Sequence, residues 1–328
     1  MTLILTREDV ISVLDMKDCM NVVEKAFVEL VNGTAVLPLR IGITPPDGLA
    51  LYMPAYLREM KALACKVVTV YKNNPAKHNM PTTIGKVLLQ DPETGDVICI
   101  MDGGYLTAVR TGAVSGVATK YLARKQKSYS LGIFGTGVQA RMQLWAVSVA
   151  VKLDKVFVYD ISDDAVQAFI KDMTVQHHLN IEKANSPDEL LKVSNILVTA
   201  TSSSVPIFEG SSVKEGTHIN GIGSHTPNAR ELDSTIIKRS RFIGDSKQAC
   251  FSEAGDIMIP LKEGVITEDH FFAELGEIIT GAKTGRTENE DKIITLFKSN
   301  GLAIQDVATA KLVYDKAIQK GIGTTVKI

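Results

Sequence analysis

A glycine-rich turn between an apolar run and a helical run is the clearest chemical signal in the sequence. The turn is Gly135-x-Gly137-x-x-Ala140, and the apolar run LGIF begins at Leu131 just before it. In such a turn the first glycine allows a sharp bend, the second lets the backbone approach a pyrophosphate, and the alanine permits close helix packing. We therefore predict that the turn binds a dinucleotide. The predicted contacts are Gly135, Thr136, Gly137, Val138 and Gln139.

An acidic residue follows where such a site needs one. Asp160 ends the next apolar run, KVFVY, at roughly the 20-residue spacing at which a carboxylate accepts hydrogen bonds from the adenosine ribose. No arginine follows it in YDISDD, and a carboxylate repels a 2′-phosphate. We therefore predict NAD(H) as the preferred cofactor, with NADP(H) still possible. The alternative is a plain strand-to-helix turn with a solvated acid, but the order of strand, glycines, helix, strand and acid favours the cofactor.

Three cationic side chains stand in apolar surroundings. Arg40 lies between two apolar stretches, Lys66 interrupts ALACKVVTV, and Arg110 lies among small residues in LTAVRTGA. Burying an unpaired charge costs roughly several kcal/mol, so we expect an anion beside them. Chemistry at a carbon bearing nitrogen needs such cations to bind a substrate carboxylate, and a proton donor. The alternative is that each cation pairs with an internal Asp or Glu.

The elements that position these residues differ along the chain. Short β-branched runs separated by turn residues predict a mostly antiparallel sheet over 49–102, and helical spacing with small residues predicts a buried helix over 106–122. After the polar segment 123–128, apolar runs alternate with helical segments, which predicts a Rossmann-type doubly wound parallel sheet. The segment GLAIQDVATAKLVYDKAIQKG predicts one helix that ends at Gly321 and packs on the N-terminal domain.

The fold class predicted from these patterns is α/β, a Rossmann domain plus an α+β domain for substrate binding and dimerisation. At roughly 150 residues per domain, 328 residues predict two domains. We place residues 1–122 and 305–328 in the substrate-binding and dimerisation domain, and residues 123–304 in the NAD(P)-binding domain.

Composition limits the partners. Lys and Arg number 36 against 37 Asp and Glu, so no broad basic field favours nucleic acid or an anionic membrane. No uncharged apolar stretch reaches the ~18 residues of a membrane span, and charges from Arg7 onward leave no room for a secretory signal. The four cysteines lack C-x-x-C spacing, so we expect no metal site and a cytoplasmic location.

Several ordered motifs resemble one family. They are MPAY at 53–56, KVVTVYKNN at 66–74, LTAVRTGAVSGVA at 106–118, GIFGTGVQA at 132–140, VTATSS at 198–203, INGIGSHTPNARELD at 219–233, EAGDI at 253–257 and GLAIQDVATAKLVY at 301–314. The chain resembles the ornithine cyclodeaminase/mu-crystallin family, which also holds archaeal-type alanine dehydrogenases and pyrroline-2-carboxylate (cyclic ketimine) reductases.

The resemblance implies roles for named residues. Arg40, Lys66 and Arg110 match the cations that bind the substrate carboxylate, and Lys66 also takes part in proton transfer. Asp306 would lie near the active cleft, and Thr111 would contact a cofactor phosphate. The residues expected to line the adenosine and nicotinamide are Thr199, Ala200, Thr201, Gly221, Ile222 and Gly223. The family also implies a homodimer.

Two departures from the family bear on the reaction. Ornithine cyclodeaminases hold the distal ammonium with an acid where this chain has Leu51, so a charged amine tail would lack a partner. The catalytic aspartate of cyclodeaminases and alanine dehydrogenases is replaced by His225. An imidazole can relay a proton near pH 7, so we count His225 as a catalytic candidate; the alternative is a hydrogen-bonded loop histidine.

The sequence therefore predicts an NAD(P)H-dependent oxidoreductase. It would reduce the C=N bond of a small imino acid such as pyrroline-2-carboxylate, or aminate pyruvate to alanine, with small imino, amino or keto acids as substrates. Lys66, His225 and Asp306 are the predicted catalytic residues. One alternative is ornithine or lysine cyclodeamination. A second is a non-catalytic protein, like mu-crystallins, that binds a cofactor or another ligand.

Overall fold

The computed structural model of the protein describes residues 1–224 and 226–327. It divides into two compact units, one of Met1–Arg110 with Leu302–Ile328, the other of Thr111–Gly301. The first division lies inside a long helix, Gly103–Leu122, whereas the sequence predicted it in the loop after that helix. The early turns of this helix therefore belong to one unit and its later turns to the other.

The helices and strands are numbered in chain order. Those before residue 123 are β1 (Thr2–Leu5), α1 (Arg7–Val13), α2 (Met16–Val31), β2 (Ala35–Val36), β3 (Ile41–Ile43), β4 (Leu49–Leu57), β5 (Ala62–Val70), α3 (Asn74–His78), β6 (Thr83–Gln90), β7 (Val97–Asp102) and α4 (Gly103–Leu122). The next are β8 (Tyr129–Phe134), α5 (Val138–Ala150), β9 (Leu153–Tyr159), α6 (Asp163–His177), β10 (Ile181–Lys183), α7 (Pro187–Val193), β11 (Ile196–Thr199) and β12 (His218–Gly221). The last are α8 (Ser234–Arg239), β13 (Ser240–Gly244), α9 (Lys247–Glu253), α10 (Gly255–Lys262), β14 (Phe271–Glu274), α11 (Leu275–Thr280), β15 (Ile294–Lys298), α12 (Ala303–Lys320) and β16 (Thr324–Val326).

The first unit is built on one mixed sheet. Its strands run in the order β16-β1-β7-β6-β5-β4-β2, and β3 pairs with β4. The pairings are antiparallel except β1 with β7, so the predicted mostly antiparallel sheet is confirmed. Strands β4 and β5 pair along their whole length, from Leu49 opposite Val70 to Leu57 opposite Ala62.

Helix α12 completes the first unit. It packs against α2 and against strands β4 and β5, and it ends at Gly321, whose φ of 63° is left-handed. The predicted terminal helix and its packing on the N-terminal unit are therefore confirmed. Its first two turns, residues 303–310, are wholly buried, although they include Gln305 and Asp306. Buried polar groups of this kind require partners inside the unit.

The second unit has the predicted doubly wound architecture. Its strands run in the order β10-β9-β8-β11-β12-β15-β13-β14, and every pairing among them is parallel. The fold class is thus confirmed, and β10, β14 and β15 are strands that the sequence patterns did not identify. Helix α7 begins with Ser186 as its N-cap and Pro187 in its first turn, the arrangement that a helix start favours.

The carboxyl ends of three central strands lie side by side. Thr199 at the end of β11 is paired in register with Phe134 of β8 and with Gly221 of β12. The loops that follow these strands therefore leave the sheet next to one another. In open parallel sheets this edge is where ligands bind.

Within the described residues, the structure contains no helix that is both long and apolar enough to cross a membrane.

Candidate functional site

The turn after β8 has the backbone that its glycines predicted. Gly135 has a φ of +98°, and a Cβ there would lie 2.5 Å from the carbonyl oxygen of Ala200. Gly137 is the N-cap of α5 at a φ of −69°, and no described heavy atom lies within 4 Å of the Cβ it lacks. Gly135 is therefore required by the protein itself, whereas Gly137 leaves space beside a helix N-terminus that can accept an anion.

A cleft of about 960 Å³ opens at this edge of the second unit. Its walls are the turn 134–139, the end of β9 with residues 159–161, Pro187, and the loop after β11, with residues 200–204, Pro206 and Ile207. The volume is in the range of pockets that enclose a ligand of cofactor size. The cleft thus brings together the predicted residues Gly135, Thr136, Gly137, Val138, Gln139, Asp160, Ala200 and Thr201.

The other predicted cofactor residues lie outside this lining. Thr199, Gly221 and Ile222 are buried at or just after the ends of β11 and β12. Gly223 follows them, and its N–H donates to the Thr199 carbonyl at 3.2 Å. Thr111 lies on α4, where its carbonyl accepts a hydrogen bond from Gln143 Nε2 at 3.0 Å. Their contacts with a cofactor stay predictions.

Asp160 is oriented at the end of β9. Its Oδ2 accepts a hydrogen bond from Thr136 Oγ1 at 2.8 Å, and its Oδ1 accepts one from the Ser162 N–H at 3.1 Å. The adjacent Ile161 lines the cleft and is 97% exposed. A fixed carboxylate beside an apolar side chain fits a ribose next to an adenine, so the cleft fits a dinucleotide.

A buried charged cluster lies in the first unit. Lys66 Nζ of β5 lies 2.7 Å from Asp306 Oδ2, and Arg110 Nε of α4 donates to Asp306 Oδ1 at 2.9 Å. Arg110 Nη1 also donates to Gln305 Oε1 at 2.8 Å. The side chains of Lys66, Arg110 and Asp306 are at most 6% exposed. The structure thus brings together two predicted cations and the predicted acid of α12.

The cluster shifts the ionisation of its members. Burial lowers the pKa of Lys66 to about 8, opposed by the charge of Asp306 and assisted by the charges of Arg110 and Arg40. Burial alone would raise the pKa of Asp306, but Arg110 and Lys66 outweigh it and hold that pKa below its usual value. The half-buried Arg40 is therefore close enough to act on Lys66 electrostatically.

The charges of the cluster do not cancel. The structure does supply an internal acid, as the alternative to substrate binding required, but the single carboxylate of Asp306 is shared between two cations, Lys66 and Arg110. Protonated Lys66, Arg110 and Asp306 therefore carry a net positive charge, away from water. Such a site gains from a bound anion, because the unbalanced cation otherwise carries the cost of burial.

Sequence reasoning missed Gln305. Its side chain is wholly buried, and among the described residues its Nε2 has no hydrogen-bond acceptor. Its Oε1 fixes the Arg110 guanidinium, so it orients one of the predicted carboxylate-binding groups. The available signal was its place beside Asp306 in the motif GLAIQD. His225, the candidate proton relay, lies outside the described residues.

Comparison with known proteins gives consistent results. The model of the ornithine cyclodeaminase/mu-crystallin family matches residues 1–321. The Δ1-pyrroline-2-carboxylate reductase of Thermococcus litoralis, solved in complex with NADH and L-proline, superposes with a TM-score of 0.95 at 47% identity, covering 99% of this chain and all of that one. An archaeal alanine dehydrogenase dimer with bound NAD superposes with a TM-score of 0.93 at 37% identity, covering 100% of this chain and 99% of that one. The alanine dehydrogenase of Archaeoglobus fulgidus is 38% identical over 326 residues, 99% of this chain and 98% of the relative. The chain therefore belongs to the ornithine cyclodeaminase/mu-crystallin family.

Proposed function

We propose that the protein is an NADH-dependent reductase of the C=N bond in a small imino acid, with pyrroline-2-carboxylate as the first candidate substrate. The observation that carries the proposal is the buried, net positive cluster of Lys66, Arg110 and Asp306. It matches a compact anion such as a carboxylate. The likeness to the Thermococcus litoralis reductase supports this substrate class.

The cofactor is proposed to be NAD(H). The residues that would hold it are the turn 135–139, Asp160 at the adenosine ribose, and Ala200 and Thr201 on the opposite wall. Bound NADH supplies the hydride that reduces the imine carbon. Asp160 favours NADH over NADPH because its carboxylate repels a 2′-phosphate.

The cluster performs the remaining tasks. Arg110, oriented by Gln305 and Asp306, binds the substrate carboxylate together with Arg40. Lys66 holds a proton on Nζ and donates it to the imine nitrogen, which balances the hydride added at carbon. The pKa of Lys66, lowered to about 8, suits proton transfer near neutral pH. Asp306 keeps Lys66 protonated until the transfer. His225 remains a candidate relay.

A second candidate reaction is the reductive amination of pyruvate to alanine. The likeness to the alanine dehydrogenase of Archaeoglobus fulgidus favours it. The 2-imino acid formed from pyruvate and ammonia carries the same carboxylate and C=N bond, so the same cluster would bind it. Cyclodeamination of ornithine or lysine is less well supported, because Leu51 of β4 stands where a cyclodeaminase needs an acid for the distal ammonium.

We also propose a homodimer and a cytoplasmic location. The segment around β3 exposes Leu39, Ile41 and Ile43 at alternating positions, more than half of each side chain. An exposed apolar strand of this kind invites pairing with a second copy. The archaeal alanine dehydrogenase solved as a dimer supports that partner.

The proposed cytoplasmic location rests on the spacing of the cysteines, all four of which are free.

One assay series tests the proposed function. The purified protein is given NADH or NADPH with pyrroline-2-carboxylate, piperideine-2-carboxylate, or pyruvate plus ammonia, and separately NAD⁺ with ornithine. We expect NADH consumption equal to the imino acid reduced. Ammonia release from ornithine without net NADH change would instead establish cyclodeamination. Tight NADH binding with no turnover on any substrate would establish a binding protein.

The role of Lys66 has its own test. Lys66→Met removes the proposed proton donor, so kcat should fall about a hundredfold to ten-thousandfold while the Kd of NADH stays unchanged. Kinetics and NADH fluorescence titration measure the two quantities. Lys86→Met is the control, because Lys86 is a mostly exposed lysine on β6 and its loss should leave kcat unchanged. Full activity of Lys66→Met would refute the assignment.

A further inference from the structure

A buried carboxylate joins the two loops that follow β11 and β12. Glu231 Oε1 accepts hydrogen bonds from the N–H and the Oγ1 of Thr201, both at 2.6 Å. Its Oε2 accepts one from the Gly223 N–H at 2.8 Å. Thr201 lines the cleft, and Gly223 follows the end of β12. One side chain therefore ties together two loops that leave adjacent strands.

Only a carboxylate can make this set of bonds. All three partners are donors, and an ionised carboxylate is an acceptor at both oxygens, whereas the amide of Gln would present its own N–H₂ to one of them. Glu231 is wholly buried, so a Thr201 donor left unpaired beside it would carry its full desolvation cost. Gly223 is adapted to the contact, since a Cβ there would lie 2.4 Å from the Glu231 carboxyl carbon.

Glu231 is itself held by a second buried pair. Asp256 Oδ1 accepts hydrogen bonds from the N–H groups of Glu231 and Leu232, at 2.8 and 3.0 Å. Asp256 Oδ2 lies 2.9 Å from Lys298 Nζ, and both side chains are wholly buried. The pair links the first turn of α10 to the end of β15. The position of Glu231 is thus set by the core of the second unit.

The loop that Glu231 holds forms one wall of the cleft. Ala200 is next to Thr201, and its carbonyl oxygen lies so near Gly135 that a Cβ on Gly135 would contact it. A shift of the loop would therefore change the width of the cleft beside the glycine turn. Nothing in the sequence patterns pointed to Glu231 beyond its place in the motif RELD.

We propose that Glu231 is a positioning residue for the dinucleotide, which fixes the loops after β11 and β12 at the spacing that the cofactor requires. The inference rests on the proposed NADH binding. Loss of the Glu231 carboxylate should reduce the free energy of NADH binding by more than it reduces the free energy of unfolding.

The test compares two acidic residues of one segment. Glu231→Gln should raise the Kd of NADH about tenfold or more, because it disrupts bonds to a charged acceptor. Asp233→Asn is the matched control, since Asp233 also accepts two backbone N–H bonds, from Gly210 and Ile236, but lies outside the cleft lining. It should lower Tm and leave the Kd unchanged.

A second, milder variant tests the same contact in case Glu231→Gln fails to fold. Thr201→Val removes one donor to Glu231 and keeps the backbone bond, so it should raise the Kd of NADH by less than Glu231→Gln does. The double variant Glu231→Gln with Thr201→Val should have the same Kd for NADH as Glu231→Gln alone, because both changes remove one contact. Equal Kd values for wild type and both single variants would overturn the inference. Absence of NADH binding by the wild type would instead overturn the proposed function.

Discussion

At the scale of single residues, two opposing effects act on the ammonium of Lys66. Burial favours the neutral amine, and Asp306, 2.7 Å away, favours the charged form. Burial prevails, with help from Arg110 and Arg40, and the pKa falls from 10.5 to about 8. Lys66 is therefore protonated at neutral pH, yet it can release its proton within the working range of an enzyme.

The pH profile should report this balance. Because protonated Lys66 is the proposed donor, kcat/KM for imine reduction should fall as pH rises through about 8. Asp306 raises the pKa of Lys66, so Asp306→Asn should move this alkaline limb to lower pH, besides reducing the rate. Steady-state rates across the pH range give both profiles.

A control carboxylate lies on the same helix. Asp315 of α12 pairs with Lys311 and is about half exposed, so Asp315→Asn should leave the limb in place. A limb that stays fixed or moves to higher pH in Asp306→Asn would show that Lys66 is not the titrating group.

At the scale of elements, the turn between β8 and α5 contains two glycines with different roles, Gly135 in the structure and Gly137 in the proposed ligand binding. Gly135→Ala should destabilise the protein for two reasons. The left-handed backbone alone costs roughly 1–3 kcal/mol, and the new Cβ would press on the carbonyl oxygen of Ala200. Gly137→Ala should cost less than about 1 kcal/mol, since its φ suits alanine and space is open there.

Gly137→Ala should have little effect on stability but a large effect on NADH binding. The new methyl group in Gly137→Ala would occupy the space proposed for the pyrophosphate, so the Kd of NADH should rise about tenfold or more. Thermal unfolding and fluorescence titration on the two variants separate these effects. Unchanged NADH affinity in Gly137→Ala would place the pyrophosphate elsewhere.

The end of β9 should control the choice of cofactor. Asp160→Ala removes hydrogen bonds to the ribose and the repulsion of a 2′-phosphate, so the ratio of kcat/KM for NADH to that for NADPH should fall about tenfold or more. Asp164→Ala, in the first turn of α6, is the control and should leave the ratio unchanged. A wild-type preference for NADPH would contradict the assignment of Asp160.

At the scale of the whole molecule, the exposed segment around β3 is the feature that concerns assembly. Among the described residues β3 pairs with β4 alone, which leaves its other edge unpaired. Burial of Ile41 and Ile43 on a second copy would remove apolar surface from water and complete the edge.

Dimerisation is measurable by light scattering after size-exclusion chromatography. The wild type should have twice the chain mass of 35.5 kDa. Ile43→Lys introduces a charge into the proposed interface and should shift the equilibrium towards monomer. Val175→Lys on α6, at a valine that is 73% exposed, should leave the mass unchanged. A dimer of undiminished stability in Ile43→Lys would exclude this surface.

Local chemistry determined much of the molecule from the sequence alone. The parallel sheet, the glycine turn, Asp160 and the terminal helix are each specified by neighbours in the chain, because turn chemistry and hydrophobic periodicity act over a few residues. The partners of the buried charges could not be found in this way. Lys66 meets Asp306, and Glu231 meets Thr201 and Gly223, across separations that only packing closes. Burial and ionisation depend on those distant partners, so the tertiary structure alone decided the net charge of the cluster and the residue that holds the cleft wall.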